Sequence, residues 1–184
     1  MTGRRRTLIY AAVIAAQVGA LAYAARWAED RAHLGPTDSL GWRPFPWPFP
    51  PEPWPAGRAW SGDDLDVYVQ WKPDLCADCQ TGVVTDEAVD RAVDIHRLDP
   101  RFEPVGPGSR LRVTDLFGRA RTYSHTRRNG ARRYAEGVVF SYKCDLIVAI
   151  VDGDVSDPKK RQAGRDFLES NTPQVWVLKQ LDGR

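Results

Sequence analysis

The chain has 184 residues, 42% hydrophobic and 27% charged, which suits one modest globular domain with appendages. A formal net charge of +2 gives no overall pull toward nucleic acid or an anionic surface. Three cysteines, Cys76, Cys79 and Cys144, leave one thiol over in any pairing scheme.

Arg4, Arg5 and Arg6 precede an apolar run from Leu8 to Ala25 whose one strongly polar member is Gln17. At about 1.5 Å per residue that run makes about 27 Å of helix, enough for a thin bilayer core. The arginines hold their end in the cytoplasm, so everything after Trp27 is expected to be periplasmic or otherwise extracytoplasmic. Residues 1–28 are accordingly expected to be a single-pass signal-anchor helix in the inner (cytoplasmic) membrane. Ala12, Ala16, Ala20 and Ala24 line up as a small-residue face that would admit a partner's membrane helix. Ala22-Tyr23-Ala24 also fits a cleavage site, so a removed signal peptide remains the alternative.

Residues 29–61 read as a Pro/Trp-rich linker. Eight of the fourteen prolines fall there, which rules out a helix and favours an extended, stiff, polyproline-like path. Trp42, Phe45, Trp47, Phe49, Trp54 and Trp60 are too many large apolar groups for a solvated spacer. They strap onto the domain, lie in a membrane interface, or form a docking strip for a partner protein over 42–60.

Residues 62–184 are expected to form the extracytoplasmic α/β domain. LDVYVQW (65–71) alternates as a strand. TDEAVDRAVDIHRL (85–98) reads as a helix capped by Thr85, with Val84 and Val89 as a hydrophobic staple. Two strands are expected over 110–126 about a Phe117-Gly118 turn, then an arginine-laden turn at 127–133 and a strand over 134–142. DLIVAIVD (145–152) is a continuous apolar run of the kind found in central strands covered on both faces. Asp157-Pro158 opens a helix through about Ser170, and QVWVLKQL (174–181) reads as a last strand. That order predicts a small mixed-sheet α/β domain with a β-rich insertion.

VYVQWKPDLCADCQ and the stretch from Asp145 to Arg184 together resemble the thioredoxin-like superfamily. The resemblance implies a membrane-tethered protein of thiol–disulfide exchange, or one derived from such a protein. Cys76 would be the attacking thiol, Cys79 the resolving one, and Thr172-Pro173 a cis-proline pair facing them. A Cys-x-x-Cys spacing allows the second sulfur to resolve a mixed disulfide on the first. The sequence also departs from that family. Gly82, Val83 and Val84 separate the pair from the next helix start, and Asp78 between the sulfurs should raise the thiol pKa.

Other readings stay open. The pair could close a small structural disulfide, Cys144 could pair with one of them, or Cys76, Cys79, Cys144 and His96 could bind zinc. The chemistry otherwise calls for no cofactor and no metal. DGDVSD (152–157) reads as a solvated strand end more readily than as a magnesium site, and HTRRNGARR (125–133) as a hairpin tip more readily than as an anion clamp. The alternative to exchange chemistry is a non-enzymatic accessory or assembly subunit of a membrane complex, with structural cysteines.

Overall fold

The structure, a computed structural model, describes residues 13–25, 28, 34–73, 84–113, 116–142 and 144–182. These divide into two compact units, Met1–Pro36 and Thr37–Arg184. In the first, residues 13–25 are helical and exposed. No helix among the described residues is long and apolar enough to cross a membrane. The expected transmembrane helix is not found among the described residues, and residues 1–12, 26 and 27 of that expectation lie outside them.

The second unit holds eight strands: β1 (Arg43–Phe45), β2 (Arg58–Gly62), β3 (Leu65–Lys72), β4 (Glu103–Pro104), β5 (Ser109–Val113), β6 (Leu116–Thr126), β7 (Arg132–Tyr142) and β8 (Asp145–Asp152). Its helices are α1 (Asp86–Val93), α2 (Pro158–Glu169) and α3 (Asn171–Asp182), with a 3₁₀ turn at Ile95–Arg97. One sheet runs in the order β1-β2-β3-β8-β7-β6-β4, and β5 shares the β6 edge with β4.

Every pairing in this sheet is antiparallel. The mixed, thioredoxin-like α/β sheet is thereby corrected. The physical reason lies in the connections, because a parallel pair needs a crossover of a dozen or more residues whereas short hairpins join antiparallel neighbours. Asp63 and Asp64 link β2 to β3 with both residues at positive φ, 53° and 58°, as a two-residue hairpin with the right twist requires. β5 and β6 pair from Val113 opposite Leu116 onward, so Phe117 and Gly118 are strand residues and not a turn. The arginine turn between β6 and β7 is present, closed by Arg127 N–H to the Ala131 carbonyl with Gly130 at φ +81°.

β8 sits at the centre of the sheet and is buried at all eight positions, as its unbroken apolar run predicts. Alternate residues feed two cores. Ile147, Ala149 and Val151 face a core with Trp42, Trp60, Leu65, Phe167 and Val177, roofed by α2 and α3. Leu146, Val148 and Ile150 face a second core with Val89, Val93, Phe102 and Tyr123, roofed by α1. Two glycines let the helices approach closely. A Cβ at Gly164 of α2 would meet Val151 at 2.8 Å, and one at Gly137 of β7 would meet Val93 at 2.8 Å.

α1 starts as expected. Thr85 accepts from the Ala88 N–H, and both Val84 and Val89 are buried. It ends at Val93, earlier than the pattern suggests, because Asp94 adopts a left-handed conformation at φ 46°. α2 opens on the Asp157 cap and Pro158.

The largest local correction is the C-terminus, where QVWVLKQL is helical. Ser170 breaks the chain in an extended conformation, and Pro173 falls in the first turn of α3, where a missing N–H is tolerated. The Pro/Trp stretch also differs from a plain linker, since β1 and β2 lie within it and join the sheet. Its rings strap both faces. Trp42 stacks on Phe167 with centroids 4.2 Å apart, while Trp47 and Phe49 sit edge-on to Tyr68 on the α1 side. Gln70 pins the strap by donating to Glu52 and to the Pro55 carbonyl, both at 3.0 Å.

Candidate functional site

Cys76 and Cys79 lie outside the described residues. Cys144 is exposed and disulfide-bonded, and the other half of its bond also lies outside them. No Cys-x-x-Cys pair and no complete disulfide is thus seen among the described residues. Thr172 and Pro173 are described, and neither opens a strand. No described peptide bond is cis. The Thr172 hydroxyl donates to Asp38 Oδ2 at 2.9 Å, and Pro173 is buried under the start of α3. The geometry that a cis-proline exchange site would use is absent at this pair.

The buried carboxylates of the sheet are held by fixed partners. Glu136 is buried on β7 and receives Arg165 of α2 at 2.9 Å, with Arg161 at 3.8 Å. Asp152, at the end of β8, is paired with Arg133. Burial raises its pKa above the ordinary carboxylate value, and Arg133 only partly offsets that. Asp145 accepts from the Trp71 indole at 3.0 Å. On the α1 face, Asp90 accepts from the Tyr123 hydroxyl at 2.7 Å and from Arg121. Burial, then that hydrogen bond, pushes the phenol's pKa well up. Asp86 accepts from Arg119 and the Gly108 N–H, and Arg119 draws its pKa down. These pairs bolt α1 to β6 and α2 to β7.

Two further groups are less ordinary. Lys72 is 2% exposed, its ammonium lies 4.5 Å from the Trp54 ring centroid, and burial lowers its pKa against the pull of Glu52. His125 is 6% exposed, stands edge-on to Phe102, and has Nε2 3.4 Å from Asp99. Among the described residues, neither of its ring nitrogens has a hydrogen-bond partner. It lies in a polar cleft with Arg101, Glu103, Ser124, Thr126 and Arg132, where acid and base are mixed. A second cleft, at the Asp152 end, sets Arg127, Arg132, Arg133 and Lys160 against Asp64, Asp66 and Asp154. Among the described residues no group of three or more His, Cys, Asp or Glu is placed to hold a metal ion.

An apolar opening lies elsewhere. A cavity of about 190 Å³ runs between the sheet and α3, floored by Val69, Phe140, Ile147 and Ala149. Val113 and Leu116 wall one side, and Pro173, Val177, Leu178 and Leu181 the other. The residues of α3 favour a strand locally, and that propensity hides the cavity in the sequence. The available signal was the spacing of Val177, Leu178 and Leu181, which puts all three on one helical face.

No protein-family model matches the chain, and no curated protein matches it in sequence.

Proposed function

We propose that this chain is a non-catalytic accessory module, displayed outside the cytoplasm, that acts by holding a partner protein and uses its cysteines structurally. The observation that carries this reading is the commitment of its buried carboxylates. Glu136, Asp145 and Asp152 each accept from a fixed donor on a neighbouring element, which is the arrangement of structural pins between strands and helices. Cys144, already disulfide-bonded, supports structural use of thiols, and Arg4 to Arg6 ahead of the apolar run support export.

The strap offers the partner surface. Its rings turn inward, while Pro46, Pro48, Pro50, Pro51, Pro53 and Pro55 are exposed. An extended proline ridge of this kind is already ordered, so a partner binding it loses little chain entropy. The test is in-cell cross-linking from a photo-reactive residue at position 50, followed by gentle solubilisation and purification. One discrete adduct, lost when Pro48, Pro51 and Pro53 are changed to serine in a chain that still folds, is expected. A chain that yields no adduct would refute the reading.

A further inference from the structure

We propose that the cavity between the sheet and α3 is a binding site for the alkyl tail of a medium-chain amphiphile. The cavity opens to solvent on one side, so its apolar lining stays wet until an apolar group covers it. Here about 190 Å³ stays open between elements that otherwise pack tightly, with Gly164 letting α2 close onto Val151.

The lining sets the chemistry. It is aliphatic apart from Phe140, Tyr142 and Gln174, and Tyr142 is its only ionisable described residue. A charged group could not enter without losing its hydration uncompensated, so the inserted part must be uncharged. The amide nitrogen of Gln174 is committed to the Glu169 carbonyl, to which it donates at 2.7 Å. A cavity of about 150 Å³ holds one benzene, which scales here to a tail of about six to eight carbons. The mouth is rimmed by Leu178, which is 54% exposed although it lines the cavity, so a head group can remain in water. This inference stands apart from the accessory reading, and each can fail without the other.

The test titrates the full chain with n-butanol, n-octanol and n-dodecanol, following methyl resonances by NMR and Tm by calorimetry. Octanol should bind one to one, shift the methyls of Val113, Val177 and Leu178, and raise Tm with concentration as mass action requires. Butanol should bind at least tenfold more weakly, and dodecanol should gain no more than about twofold over octanol. Leu178→Trp, at a half-exposed position, should fold normally and weaken octanol at least tenfold. Ala149→Leu, which fills the floor, should do the same. Unsaturable shifts, affinity that keeps climbing through twelve carbons, or unchanged binding in both variants would overturn the assignment.

Discussion

The hydroxyl of Thr172 donates to Asp38 Oδ2 at 2.9 Å, joining the first turn of the last helix to the start of the strap across 134 residues of sequence. The same carboxylate, through Oδ1, accepts from the Leu40 and Trp42 N–H groups at 2.9 and 2.8 Å. Asp38 therefore sets the turn that delivers Trp42 onto Phe167, and Thr172 ties that turn to α3. Asp38→Ala removes all three bonds and should cost about 2 kcal/mol, against about 1 kcal/mol for Thr172→Val. Urea unfolding followed by tryptophan fluorescence measures both. Equal and negligible effects would show that the knot carries no stability.

Trp42 is 4% exposed and stacked on Phe167, so truncating it removes a large buried surface as well as the ring pair. Trp42→Ala should cost about 3–5 kcal/mol, while Trp42→Phe should keep more than half of that. The comparison by chemical denaturation separates a strap that belongs to the core from one that merely lies on it.

Arg165 reaches Glu136 at 2.9 Å, and Glu136 is 2% exposed. Arg165→Met leaves a buried carboxylate with only the more distant Arg161, and should cost about 2–4 kcal/mol. Arg165→Met combined with Glu136→Leu should recover most of that loss, because the charge stranded by the single change is gone. A double variant as unstable as the single one would mean that the pair is not the source.

Acidification should act on two carboxylate groups with opposite signs. Hydrogen bonds from Arg101 hold the Asp99 pKa well below the usual range, and Arg119 does the same, less strongly, for Asp86. A depressed folded pKa means that stability is present above the ordinary aspartate range and is lost as pH falls through the folded value. Asp152 is raised by burial, so its contribution is full below the ordinary aspartate value and disappears as pH rises through the folded value. At neutral pH Asp152→Asn should therefore be no worse than wild type, whereas Asp99→Asn and Asp86→Asn should destabilise. Thermal melts of the three variants at neutral and acid pH check the signs.

Much of the sheet was legible in the residues, because a strand covered on both faces must be apolar throughout. DLIVAIVD announced β8 in that way, and Asp157-Pro158 announced α2 by its cap. The C-terminal helix was not legible as such. Val175, Trp176 and Val177 are residues that favour strands, and only burial against the sheet makes Val177 and Leu181 a helical pair. β2 was hidden by prolines nearby, although Trp60 and Ala59 alternate between the two cores. The cavity follows from α3, so misreading that one element concealed this apolar opening. The pins at Glu136 and Asp38 join residues far apart in sequence, and no local pattern announces them.

The structural role of the cysteines is tested most directly by turnover. The full chain, mildly reduced and then supplied with insulin and dithiothreitol, should catalyse no disulfide reduction above the uncatalysed rate. Cys76→Ser and Cys144→Ser should differ from wild type in melting temperature alone. Multiple turnovers that vanish with Cys76→Ser would contradict the account and make this chain an exchange enzyme on an unrelated sheet.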